Sequence, residues 1–184
     1  MRDSSFRRSY ETERLIIKIL DESYVDDVLS FINTGASCFD QYESEKSADF
    51  YTRATQKQIL RLEYNMAMQK TGVRFYVFLK DNPRTIIGTI SYSFYKSTPF
   101  KSIMLGYKFL PDYWHMGYAS ESIAFCNDLI RSVIGIKRIE AYVLSDNVPS
   151  QTLLSRLGFR LEGTAYGVLE VNGIRRDHLQ YSLI

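Results

Sequence analysis

The chain has 184 residues, 45% of them hydrophobic and 24% charged, and its 23 basic against 21 acidic side chains leave a formal net charge of +2. That length supports one domain with its own core and no need of disulfides or metals, and the scattered charge marks no nucleic-acid binder. No apolar run approaches the roughly 18 residues of a membrane span, and the two distant cysteines, Cys38 and Cys126, suggest neither a disulfide framework nor a metal cluster.

The opening MRDSSFRRSY is polar and basic and carries no signal-peptide pattern. Residues 1–11 are therefore expected to form a flexible leader, residues 12–184 a single domain, and the protein to be cytoplasmic. Glu13 to Leu20 reads as a first strand. Asp21-Glu22-Ser23 starts a helix whose inner face carries Val25, Val28, Leu29 and Ile32. Residues 34–54, with Gly35 and several acidic side chains, read as irregular. A longer helix is expected from about Thr55 to Lys70, with Ile59, Leu62, Met66 and Met68 facing inward and Gly72 ending it. Strands Arg74–Lys80 and Arg84–Tyr95 flank the turn Asp81-Asn82-Pro83.

Ile103 to Leu110 is the next strand, stopped by Pro111-Asp112. After Gly117 the residues Ala119, Ile123, Cys126, Ile130 and Val133 recur at helical spacing. Lys137–Leu144 reads as a strand and Val148–Leu157 as a short helix. Phe159–Glu170 and Ile174–Leu183 form a last pair of strands around Val171-Asn172-Gly173, where Asn-Gly favours a tight hairpin. This order predicts an α+β (mixed α/β) fold. Its central sheet is mixed, mostly antiparallel, and flanked by helices. The 14 tyrosines and 11 phenylalanines fit a well-packed core or an aromatic-lined groove.

Two constellations carry chemistry. The first is IMLGYKFLPDYWHMGYASE, from Ile103 to Glu121, in which a strand leads through a short loop directly into a helix. A helix N-terminus offers unpaired N–H groups and partial positive charge, and Gly117 and Ala119 let an anion approach the backbone. Taken alone, G-x-A is better explained by an ordinary strand–loop–helix connection. The second is Ser145-Asp146-Asn147-Val148-Pro149-Ser150, leading to Leu157-Gly158-Phe159. Asn147 suits an N-cap, Pro149 a first helical turn, and Gly158 a helix end. Two neighbouring strands, each ending at a helix N-terminus, make a cleft with donors on both walls.

Together these residues resemble the GNAT N-acetyltransferase superfamily, in particular its ribosomal-protein-type (RimJ/RimL-like) branch. The resemblance rests on Gly106-Tyr107, the run Tyr113-Trp114-His115-Met116-Gly117-Tyr118-Ala119-Ser120-Glu121, Asn147-Val148-Pro149-Ser150 and Leu157-Gly158-Phe159. Thr12-Glu13-Arg14-Leu15 and the closing strand also suit that branch, so it covers roughly residues 12–184. It implies a sheet splayed between two strands and acetyl-coenzyme A as co-substrate, with no metal. Its pyrophosphate would lie on His115, Met116, Gly117, Tyr118, Ala119 and Ser120. The pantetheine arm would pair with the strand end at Phe109-Leu110 and with Asn147. Ser150 would lie near the thioester sulfur as an acid, or else serve as a helix-capping serine. A backbone N–H near Phe109 would stabilise the oxyanion.

The base stays open. Many relatives have a glutamate two residues before the Gly-Tyr pair, where this chain has Met104. Asp112, Glu140, Asp177, His178 and a water chain remain candidates, and His115 reads as an exposed or packed loop residue. The expected acceptor is a primary amine on a protein N-terminus or ribosomal protein. An antibiotic or polyamine amine is the alternative, as is a non-catalytic acetyl-coenzyme A sensor, which Met104 would favour. Neither a membrane nor a nucleic-acid partner is expected, and a homodimer is left open.

Overall fold

In the computed structural model, which describes residues 5–184 apart from the side chains at 94 and 95, the described residues form one mixed sheet. Its strands are β1 (Ser9–Glu11), β2 (Leu15–Lys18), β3 (Val73–Leu79), β4 (Ile86–Lys96), β5 (Ser102–Phe109), β6 (Arg138–Val143), β7 (Arg160–Val171) and β8 (Ile174–Leu183). Four helices flank it: α1 (Val25–Phe39), α2 (Arg53–Gln69), α3 (Tyr118–Ile134) and α4 (Val148–Arg156). The spatial order is β1-β2-β3-β4-β5-β6-β8-β7. Neighbours are antiparallel except β5 and β6, which run parallel. The fold is α+β, as expected.

Strand β3 shows why the sheet is covered on both faces. Its sequence, VRFYVFL, is nearly continuous in apolar residues, as a strand buried on two sides requires. Val73, Phe75 and Val77 pack toward α3 with Ile123, Cys126 and Ile130. Tyr76 and Phe78 pack toward α1 and α2 with Val25, Val28, Phe31 and Leu60. Each such buried side chain contributes roughly 1.5–3 kcal/mol relative to exposure.

Three expectations are corrected. The segment assigned to a flexible leader joins the domain from Phe6 onward. Ser9–Glu11 pairs with β2, and Phe6, 7% exposed, meets Phe75 edge-on at 5.9 Å. Residues 1–4 lie outside the described residues. Second, α1 runs through Gly35 to Phe39, so residues 34–54 are less irregular than their composition suggests; the remainder holds short turns at Asp40–Tyr42 and Ala48–Tyr51. Gly35 is no helix breaker here, because a Cβ there would sit 2.0 Å from the Phe39 ring.

Third, α2 buries Gln56, Leu60 and Ala67, while Leu62 is 62% exposed and Met66 and Met68 also face out. The true face is masked in sequence by polar Gln56, whose Nε2 donates to the Phe50 carbonyl at 2.6 Å. The helix ends at Lys70, whose φ of 58° is left-handed, and not at Gly72. Gly72 instead lets two strands approach, since a Cβ there would meet the Tyr92 carbonyl at 2.9 Å.

The feature that positions the site is the β5–β6 junction. The two strands pair only over Ser102–Met104 with Arg138–Glu140 and then separate. Strand β5 leads to the N-terminus of α3 and β6 to that of α4, so the gap opens between two helix starts.

Candidate active site

Beyond Phe109 the chain makes one turn at Pro111–Tyr113, and Trp114 Nε1 donates to the Phe109 carbonyl at 2.8 Å. His115 (φ 60°) and Gly117 (φ 81°) then swing the backbone into α3. Both angles are left-handed, which Gly117 adopts at no steric cost. The first intrahelical bond runs from Glu121 N–H to the Gly117 carbonyl, and no side chain caps the helix. The amides of Tyr118, Ala119 and Ser120 therefore precede the helical ladder and point along the positive end of its dipole. Such an arrangement can hold an anion. His115 and Met116 are exposed beside it.

Arg14, just ahead of β2, locks this loop. Its Nη1 donates to the Met116 carbonyl at 2.9 Å and its Nε to Glu121 Oε2 at 2.7 Å. Its guanidinium lies 4.7 Å from the Tyr118 ring centroid. Glu121 also accepts from Thr12 Oγ1 at 2.6 Å and from Arg14 N–H at 2.9 Å. Burial works against the Glu121 charge, but the Thr12 and Arg14 donors outweigh it and hold its carboxyl below the ordinary range. A Cβ on Gly117 would stand 3.2 Å from Arg14 Nη2. Sequence reading quoted Thr12, Arg14 and Glu121 without a role, because their partnership spans more than 100 positions, as the Thr12–Glu121 separation of 109 shows.

At the end of β5, Leu110 N–H is bonded to Ile87 O of β4 at 2.9 Å and so points away from the gap. Successive strand residues alternate direction, so Tyr107 and Phe109 present their backbone groups to the gap. Of the expected strand-end pair, Phe109 thus carries the available N–H, its carbonyl being bonded to Trp114, and buried Leu110 supports the strand end.

Across the gap, Asn147 caps α4, its Oδ1 accepting from Ser150 N–H at 3.2 Å. Ser150 is thus not the cap, and its hydroxyl lies 2.6 Å from the Tyr107 hydroxyl. Sequence reading quoted Tyr107 in the Gly-Tyr pair without a role, because the contact of its hydroxyl with Ser150 joins residues 43 positions apart.

The opposite face of β5 carries Lys108, half-buried over the Phe39 ring at 4.8 Å and bonded to Glu43 Oε1 at 2.7 Å. Burial pushes the Lys108 ammonium down, and Glu43 only partly offsets this. Burial also opposes the Glu43 charge, but Lys108 and Lys46 outweigh it and lower its carboxyl. Lys46 bonds both Glu43 and Asp40. This segment is tied to the β7–β8 turn. Asn172 N–H donates to the Glu43 carbonyl at 3.3 Å, and Ser44 Oγ to the Glu170 carbonyl at 2.9 Å.

The candidate bases separate. Met104 has Glu140 as its register partner on β6, so a carboxylate stands one strand away from the expected position. It is bonded by Arg138 Nε at 2.8 Å and by the Tyr142 hydroxyl at 3.3 Å. Asp177 accepts from Gly167 N–H at 2.7 Å. Buried His178 has Nδ1 2.9 Å from the Arg176 carbonyl, so Nδ1 is the nitrogen that donates there. Asp112 is exposed in the turn after β5.

Comparison with known proteins places these features in context. The family described as acetyltransferase (GNAT) domain matches residues 14–160. The chain is 27% identical over 177 residues to the uncharacterized N-acetyltransferase YoaA of Bacillus subtilis (strain 168), covering 95% of each. It is 32% identical over 115 residues to the [ribosomal protein uS5]-alanine N-acetyltransferase of Escherichia coli (strain K12), covering 62% of this chain and 59% of that protein. Among solved structures, ribosomal-protein-S5-alanine acetyltransferase from Vibrio fischeri is similar with a TM-score of 0.89 at 27% identity, covering 96% of both chains.

Proposed function

The chain belongs to the GNAT acetyltransferase family, and from that premise we propose that it acetylates the α-amine of a polypeptide, with acetyl-coenzyme A as donor. The donor supplies an activated acyl group as a thioester. The residues present suit it: the uncapped amides at Tyr118–Ser120 fit a pyrophosphate, and a Cβ at Gly117 would crowd Arg14. Phe109 and Tyr107 backbone groups and Asn147 line the route a pantetheine arm would take between β5 and α4.

Chemically, this chain must orient the amine, receive its proton and stabilise charge on the acyl oxygen. Phe109 N–H, on the open edge of β5, serves the oxyanion. Ser150 Oγ–H donates to the departing sulfur. Glu140, beside Met104, receives the amine proton through solvent, with Tyr142 hydrogen-bonded to it.

The observation that carries the acceptor class is a strap anchored to β5 by the Lys108–Glu43 bond. The bonds Asn172–Glu43 and Ser44–Glu170 join the segment after α1 to the β7–β8 turn. A flexible chain end can thread past such a strap more readily than a lysine held on a folded surface, which favours a terminal amine. The resemblance to enzymes named for ribosomal-protein alanine acetylation supports the same acceptor class. Small amines could also enter, so the test is comparative. Thiol release from acetyl-coenzyme A should be fastest with short peptides bearing a free N-terminus. Faster release with polyamines or aminoglycosides would contradict the reading, as would binding without any release.

A further inference from the structure

We propose that Tyr107 is a positioning residue for the acyl-transfer step, donating to Ser150 Oγ so that the single serine hydrogen points into the cleft. The inference rests on the acetyltransferase reading above and concerns how Ser150 is made a directional acid.

A serine hydroxyl has one hydrogen and two lone pairs, and its rotor is otherwise free. At 2.6 Å the Tyr107–Ser150 contact is a short hydroxyl–hydroxyl hydrogen bond, and either oxygen can be the donor. If Ser150 donates, its hydrogen is occupied and the leaving sulfur finds no donor. Tyr107 would then turn its own hydrogen to the Ser150 carbonyl, at a longer 3.3 Å. If Tyr107 donates, one Ser150 lone pair is filled and the serine hydrogen is free for the sulfur.

Several features favour the second arrangement. Burial pushes the Tyr107 phenol up to about 12, so it stays protonated and able to donate throughout the neutral range. The Ser150 backbone is fixed independently, because Asn147 Oδ1 accepts from Ser150 N–H. The serine hydroxyl is therefore not needed as a cap. Negative charge growing on sulfur polarises a Tyr–Ser–sulfur chain in one direction only, and each bond strengthens the next. Tyr107 lies on β5 just past the last pair with β6, where the strand edge is open, so the pair faces the proposed thioester position.

The proton balance is simple. As the carbon–sulfur bond breaks, its electron pair goes to sulfur, which takes the Ser150 proton. Tyr107 keeps its own proton and its hydrogen bond to Oγ, and the proton released by the acylated amine, received by Glu140, restores the Ser150 hydroxyl through solvent. The net products are an amide and a thiol.

A double-mutant cycle in the full chain tests this. Tyr107→Phe keeps the ring and its packing, and melting curves should stay close to the parent. Single-turnover transfer to a free-N-terminus peptide should slow about tenfold, the effect of one lost hydrogen bond. The KM for acetyl-coenzyme A should move much less than kcat. In a Ser150→Ala background, Tyr107→Phe should change nothing further, because the pair acts as one unit. An unchanged rate in Tyr107→Phe, or the same loss in both backgrounds, would overturn the proposal while leaving the acetyltransferase reading intact. A parent protein that binds acetyl-coenzyme A yet transfers to no amine would overturn both.

Discussion

At the residue scale, the proposed cofactor site rests most directly on Gly117. It adopts φ 81°, and a side chain would both strain that turn and press on Arg14 Nη2. Gly117→Leu is expected to lose acetyl-coenzyme A binding by at least about tenfold, given a strain of roughly 1–3 kcal/mol for a non-glycine residue held there. Calorimetry on the folded variant checks this, and parent-like affinity would show the cradle to be misplaced. The glycine was legible in the sequence because its neighbours form a strand–loop–helix unit. The residues that hold it were not. Arg14 and Glu121 are far apart in the chain, and only the fold brings them to 2.7 Å. Ser150 shows the same limit from another side. Its position three residues after Asn147 suits either a capping or a catalytic role, and the two separate only once Asn147 is seen to make the cap and Tyr107 to meet the hydroxyl.

At the element scale, strands and hairpins were read well where alternation and turn chemistry agree. Asn172 and Gly173 take φ 49° and 74°, the paired left-handed angles that a tight Asn-Gly hairpin demands. Helix faces fared less well. In α2 the inward position at Gln56 is polar and satisfied locally, so a hydrophobic-spacing argument chose the wrong phase. The last strands are joined by a charge that sequence cannot pair. Glu162 on β7 accepts from Arg138 Nη1 at 2.7 Å on β6 and from Ser182 Oγ at 2.7 Å on β8. Hydrogen bonds from Arg138, then Ser182, lower the Glu162 carboxyl to about 2.

A depressed carboxyl stabilises the folded state above its unfolded pKa and loses that contribution as pH falls through the folded value. Glu162→Gln should therefore be less stable than the parent near neutrality. The difference should shrink as pH falls from about 4.5 toward 2. Denaturant unfolding of both proteins across that window checks it, and a pH-independent difference would contradict the assignment. The group is partly exposed, so solvent screening keeps the effect modest.

At the scale of the whole molecule, the mixed sheet and its central parting were accessible from element order, because the run β5–α3–β6 has the single crossover helix that a parallel pair needs. The extent of that pair, only Ser102–Met104 with Arg138–Glu140, was not. The strap between the segment after α1 and the β7–β8 turn was also hidden, since residues after α1 carry no periodic signal and meet that turn largely through backbone groups that every sequence possesses. The proposal of a chain terminus as acceptor rests on that strap. The most direct measurement offers the enzyme acetyl-coenzyme A and a peptide that has both a free N-terminus and an internal lysine, then maps the acetyl group by tandem mass spectrometry. The account predicts acetylation at the N-terminal nitrogen and none when that amine is blocked. Acetylation of the internal lysine in the blocked peptide, at a rate matching the free one, would contradict it.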